Sequence, residues 1–385
     1  MRMQYKTIGE ICTVVSGTTP KSDKAEYWGG NLIWITPAEL KEGNAVIYDS
    51  VRHITKAAVK ASALKPFPKG TVILSSRAPI GKVAIAGTQM YCNQGFKNLI
   101  CSEVIYNGYL YYYLKAKTAY LNSLGRGATF REISKQIVEK IKIPVPSMQE
   151  QHRIADILFK IDALMGRRQQ QAEKLDELVK ARFVEMFGDP ISNPHAFARV
   201  PLSELAVIKI GPFGSLLHKE DYVHGEHALI NPSHITNGKI VIDENLTVSD
   251  EKYIELEAYQ LRPGDVVLGR RGEMGRCAVV EREGYLCGTG SLLIRTNGQV
   301  TADYIQKTIS FPAYKRMIED MAVGQTMQNL NVPIVSKFPI IKPPLDVQKR
   351  YYHFVHEIDC EKERIQKSAA LLETLKRSLM QQYFG

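Results

Sequence analysis

A chain that repeats itself in register has few folds open to it, and this one repeats. The phrase IVEKIKIPVPSMQEQ, beginning at Ile137, returns as IVSKFPIIKPPLDVQ, beginning at Ile334, an offset of 197 residues. The register holds without a gap: Pro146 falls on Pro343, Gln151 on Gln348, Arg153 on Arg350, Ile161-Asp162 on Ile358-Asp359, and Phe187-Gly188 on Phe384-Gly385. The segment after each proline-rich turn has the spacing of a helix. Ile154, Leu158, Ile161, Met165, Ala172, Leu175, Val179 and Met186 recur at intervals of three, four or seven and leave Arg167 to Gln171 on a polar face. The second copy does the same with Tyr351, Val355, Ile358, Ile365, Ala369, Leu372, Leu375, Leu379 and Tyr383. Ser147 to Glu150 has the pattern of a capping box, and Gly188 before Asp189-Pro190 supplies a left-handed cap and a residue that cannot continue the helix.

Each helix is expected to run on the order of 55–60 Å. Such a helix is stable only when its apolar stripe is buried, and the economical partner is the other copy, in an antiparallel coiled coil. Gly166, mid-helix, costs about 1 kcal/mol against alanine and marks either a bend or a close crossing.

The segments between the helices repeat more loosely. PKGTVILSSRAPIGKVAI from Pro68 answers RPGDVVLGRRGEMGRCAVV from Arg262, pairing Gly70 with Gly264, Arg77 with Arg271 and Gly81 with Gly275 at an offset of 194. GATFREI from Gly127 answers GQTMQNL from Gly324, back at 197. Runs such as Thr71 to Leu74, Lys82 to Ile85 and Val266 to Leu268 read as short strands, whereas Tyr106 to Leu124 and Thr301 to Met321 read as helices. The fold class is therefore α+β with a pseudo-twofold internal repeat. Globular domains at 1–146 and 190–343 are separated along the chain by long helices at 147–189 and 344–385.

Lysine and arginine outnumber aspartate and glutamate by 50 to 40, and the net charge of +10 favours polyanionic partners. The six cysteines show neither C-x-x-C nor paired spacing with histidine, which argues against a zinc site or a disulfide framework and fits a reducing cytoplasm. The N-terminal apolar run, Ile11 to Val15, is too short for a signal sequence or a membrane span, so no membrane association is expected.

No phosphate-binding loop, dinucleotide fingerprint or H-E-x-x-H zinc motif is present, and KPPL at Lys342 and SNPHAF at Ser192 lack the full Asn/Asp-Pro-Pro-aromatic set of an amino-methyltransferase. No catalytic or metal-binding residue is assigned. Two weak patterns remain. Asp23 with Glu39 and Lys41 mimics the acidic pair plus lysine of a Mg²⁺-dependent nuclease, and His218, His224 and His227 could be metal ligands. The stronger candidates are basic loops that occur in both halves. SSRAPIGK (Ser75 to Lys82) and GRRGEMGR (Gly269 to Arg276) offer Arg77, Lys82, Arg270, Arg271 and Arg276, and LGRGATFREISK adds Arg126 and Arg131. Arginine in such a loop can pair bidentately with guanine or with phosphate, and solvated hairpin tips are the plainer alternative.

Two globular segments alternating with two long helices, each helix introduced by P-x-x-x-E-Q-x-x-I (Pro146, Glu150, Gln151, Ile154), resemble the specificity subunit of type I restriction-modification systems. The G-x-T element, Gly127 with Thr129 and Gly324 with Thr326, stands before each helix as in that family. The second copy departs from it, with Val347 for the glutamate and Tyr351 for the isoleucine. The resemblance implies that each globular segment is a target recognition domain reading one half of a bipartite site on double-stranded DNA. It implies that the helices set the half-site spacing and dock two methyltransferase subunits, with restriction subunits joining the complex. Glu150, Gln151, Ile154, Ile161, Leu175, Leu178, Gln348, Ile358, Leu372 and Leu375 are the docking and spacer residues it points to. The subunit would be non-catalytic and bind no cofactor itself, while its partners use S-adenosylmethionine, ATP and Mg²⁺. A self-contained nuclease and a coiled-coil scaffold for protein partners remain the alternatives.

Overall fold

The computed structural model describes residues 4–41, 43–77, 79–127, 131–213, 216–322 and 329–385. Thr129, Gly324 and Thr326 of the G-x-T elements lie outside the described residues. The two long helices form where periodicity and caps place them, Met148–Phe187 and Leu345–Phe384, each of 40 residues. Their ends keep the offset of 197, and so do their caps: Gly188 N donates to Val184 O and Gly385 N to Gln381 O, both at 2.8 Å. Half of the capping box forms, with Glu150 N donating to Ser147 Oγ at 3.3 Å while the Glu150 carboxylate turns to Arg153.

Two compact units result, residues 1–172 with 364–385 and residues 173–363, so the boundaries fall inside the long helices rather than at their ends. In the first unit a five-stranded sheet runs Cys12–Ser16, Phe96–Cys101, Val72–Ser75, Val83–Ala86, Val46–Ile47, antiparallel except for the last pair. The expected helix from Tyr106 to Leu124 is two, Asn107–Ala116 and Thr118–Ser123. The first brings Tyr109 and Leu110 onto the core of Ile8, Val72, Leu74 and Leu99. The second unit repeats four of the strands, in the order Ala206–Ile210, Ser291–Thr296, Asp265–Gly269, Cys277–Val279. Its expected helix from Thr301 also divides, into Ala302–Ser310 and Pro312–Ala322, because Pro312 lacks the N–H that continuation needs.

Within each unit the helix halves run antiparallel. In the first, Lys376 bonds Asp162 and the Arg153 guanidinium lies over the Tyr383 ring. In the second, Lys362 Nζ meets Asp176 Oδ1 at 2.5 Å and the Tyr351 hydroxyl donates to Val179 O at 3.3 Å. Each long helix thus starts against one unit and ends in the core of the other. Phe183 and Phe187 pack on Tyr304 and Tyr351, and Phe384 packs on Tyr109 and Tyr113.

Gly166 has no neighbour within 4 Å of where a Cβ would stand, so it is not a close crossing, and the helix runs through it unbroken. Gly166→Ala is therefore expected to stabilise the chain by about 1 kcal/mol, read as a raised denaturant midpoint.

Gln151 and Gln348 correct the expectation that they face a partner. Both are buried. Gln151 accepts from Tyr106 N at 2.8 Å and donates to Val104 O and Pro146 O, and Gln348 accepts from Thr301 N at 2.9 Å and donates to Pro343 O. Each glutamine pins the first turn of its helix to the loop ahead of the unit's own helix pair. Ile154 and Ile161 are also buried and present no surface to a partner. Leu175, Ile358 and Leu372 are half-buried, whereas Leu178 and Leu375 are exposed.

Candidate nucleic-acid interface

Three loops meet at the same end of the central sheet in each unit. The first is the tip loop that follows Val72–Ser75 or Asp265–Gly269. The second is a proline turn, Thr36-Pro37 or Asn231-Pro232, and the third is the turn at 93–95 or 288–290. The frames match bond for bond. Ser76 N donates to Gly95 O at 2.8 Å and Ile133 N to Ser76 O at 3.0 Å; Arg270 N donates to Gly290 O at 2.9 Å and Leu330 N to Arg270 O at 3.0 Å. Gly17 and Gly211 cross the third turn so closely that a Cβ would sit 2.1 Å from Asn93 O or Gly288 O respectively. Glycine is required there for space.

Within this shared frame Arg77 and Arg271 occupy equivalent places, as their sequence pairing anticipates. Arg77 is half-buried and pairs across an isolated bridge with Glu132, and Arg271 is exposed. Neither guanidinium has a polar partner among the described residues. Arg126 and Arg131 are exposed on the neighbouring segment, where Arg126 exchanges backbone hydrogen bonds with Glu132 at 3.1 and 3.0 Å.

The remaining three candidates are differently used. Arg270 donates from Nε to Leu330 O at 2.9 Å and from a terminal nitrogen to Thr289 O at 3.3 Å, and burial, then the charge of Arg271, lower its pKa. Arg276 bonds Pro232 O at 3.1 Å and Glu273 at 3.0 Å. Lys82 Nζ reaches Pro37 O at 3.4 Å. Arg270 and Arg276 are half-buried and tie the loop cluster together through these bonds.

The nuclease pattern dissolves. One Glu39 oxygen accepts from Thr36 N at 2.6 Å, and the other from Ser50 Oγ at 2.7 Å and Val51 N at 2.8 Å, so its carboxylate is spent on turn geometry. His234 holds the corresponding place beside Asn231-Pro232, its Nδ1 3.2 Å from Asn231 N. His227 stacks on Tyr253 and bonds Asp250 at 2.7 Å. Among the described residues no three His, Cys, Asp or Glu side chains are placed to hold a metal, and no helix is long and apolar enough to cross a membrane.

The paired proline turns escaped the sequence reading, although WITPAEL and LINPSHI align at an offset of 195. Length differences of one to three residues between the copies move the offset between 194, 195 and 197, which hides short matches.

The chain is 41% identical over 193 residues to the MjaIX specificity subunit of Methanocaldococcus jannaschii, covering 49% of this chain and 45% of that protein. It is 31% identical over 169 residues to the EcoR124I/EcoR124II specificity subunit of Escherichia coli, covering 42% and 41%. These matches span less than half the length of either relative. In fold, the chain is similar to the crystal structure of a type I S subunit from M. genitalium, with a TM-score of 0.62 and 16% identity over 100% of this chain and 97% of that one. The family model described as type I restriction modification DNA specificity domain matches twice, at residues 2–174 and 197–374, and the chain belongs to that family.

Proposed function

We propose that this chain is the DNA-recognition subunit of a type I restriction-modification complex, reading a bipartite site in double-stranded DNA. The observation that carries the reading is the placement of Arg77 and Arg271 at equivalent positions of two equivalent loop frames, with no internal partner for either guanidinium among the described residues. Two heads of one design on one chain, each offering a bidentate donor, match a site read in two halves, and both halves must be satisfied together. The division into heads at 1–146 and 190–343 and spacers at 147–189 and 344–385 belongs to this reading. Arg126 and Arg131 are available for phosphate contacts, and the net charge of +10 supplies long-range attraction.

The chain is non-catalytic and cytoplasmic in this reading and binds no cofactor of its own. Two methyltransferase subunits using S-adenosylmethionine and restriction subunits using ATP and Mg²⁺ do the chemistry. The half-buried and exposed helix positions Glu150, Leu175, Leu178, Ile358, Leu372 and Leu375 are the docking surface. The test is to co-purify the chain with its methyltransferase partner and map methylation: one bipartite motif supports the reading, and methylation without sequence preference overturns it. In the same assay Arg77→Ala is expected to weaken discrimination at the first half-site alone by about 1–3 kcal/mol, roughly 5- to 150-fold. A uniform loss on unrelated DNA would make Arg77 a phosphate contact.

A further inference from the structure

Both units commit a cation to the base of the tip loop, but from different positions: a buried lysine on the strand Phe96–Cys101 in the first, and a half-buried arginine of the loop itself in the second. In the first unit Lys97 is 5% exposed, and its Nζ donates to Ser76 Oγ at 3.2 Å and to Glu132 Oε1 at 3.0 Å. Ser76 immediately precedes Arg77, and Glu132 lies opposite Arg77 across the bridge. One ammonium therefore ties the residue before the arginine to the residue facing it. In the second unit the corresponding residues are Leu292 and Asn329, a pair that carries no charge, and Asn329 Oδ1 is buried without a hydrogen-bond partner among the described residues. Arg270 stands where Ser76 stands and ties the loop to Leu330 O and Thr289 O instead. The backbone frame is unchanged between the two.

Burying the ammonium of such a pair is a poor way to add stability, because its desolvation offsets much of the attraction to a carboxylate that stays 40% exposed. Each unit nonetheless commits one cationic side chain to tying its tip loop to the neighbouring segment, through different acceptors, which argues that the loop itself needs the tie. We infer that Lys97 and Arg270 are positioning residues for Arg77 and Arg271, clamping each tip loop so that its free guanidinium meets a base edge in one orientation. The inference rests on the reading of the chain as a DNA-recognition subunit.

The test uses the full chain with its methyltransferase partner and measures methylation on the mapped site and on single-base variants of each half. Lys97→Met is expected to lower discrimination at the first half-site about 10-fold or more, within the range of one bidentate contact, with the second half unchanged. Fluorescence of Trp28 and Trp34, both in the first unit, verifies that this unit is folded. Importing the second unit's arrangement, Ser76→Arg with Lys97→Leu and Glu132→Asn, is expected to restore the first half-site, which a merely structural role does not predict. Arg270→Gln provides the mirror measurement in the other unit and is expected to loosen only the second half-site. It decides the matter should Lys97→Met unfold. Unchanged discrimination in folded Lys97→Met or Arg270→Gln chains, or equal loss at both halves, overturns the inference and leaves the proposed function standing. Absence of a bipartite motif with the unaltered chain overturns the proposed function and this inference with it.

Discussion

Replacing Phe384, near the end of the second long helix, by alanine is expected to destabilise the first unit by about 3–5 kcal/mol, the range for removing a buried phenylalanine from a core. Phe384 is buried to 3% exposure, and its ring stands 5.4 Å from Tyr109 and 5.9 Å from Tyr113, in the same cluster as Ile8, Leu74 and Leu99. The helix that begins against the second unit thus completes the core of the first. Both tryptophans of the chain, Trp28 and Trp34, lie in the first unit, so their fluorescence in a denaturant titration reads that unit directly. The expected result is an earlier tryptophan transition for Phe384→Ala. A midpoint that does not move would show that the aromatic cluster tolerates the cavity and that the last turn frays.

How the fold was legible depends on where the information lies. The long helices could be placed within two residues of their ends because a repeated stripe, a capping serine and a glycine-proline stop are all local signals. The strand runs were legible for the same reason. The use of individual polar residues was not. Arg270 and Arg276 look like solvated tips in the sequence, yet their acceptors, Leu330 O and Pro232 O, lie 60 and 44 residues away. Gln151 and Gln348 look like surface because glutamine usually is surface. Their one available signal was that the glutamine survived in both copies while its neighbour drifted from Glu150 to Val347. A polar residue kept in both copies beside one that changes is what a buried, fully hydrogen-bonded side chain leaves behind.

The same contrast between copies predicts a second large effect. Asp265 is 2% exposed and accepts both arms of Arg295, at 2.8 and 2.7 Å, as well as Arg262 N at 2.7 Å. The first unit has Thr71 and Ile100 at the corresponding places, with the Thr71 hydroxyl donating to Pro68 O. Asp265→Thr alone leaves a guanidinium without its counter-charge and is expected to cost roughly 3 kcal/mol, the lower end of the range for breaking a buried pair, because Arg295 is 34% exposed. Asp265→Thr with Arg295→Ile installs the first unit's solution and is expected to recover most of the loss, giving a coupling of the two substitutions on the order of 2 kcal/mol. The readout is hydrogen exchange at the amides of Asp265–Gly269 and Ser291–Thr296, which the tryptophans of the first unit do not report. Additive losses in the double variant would mean that the pair fixes the strand register of the second unit and that the apolar solution of the first does not transfer.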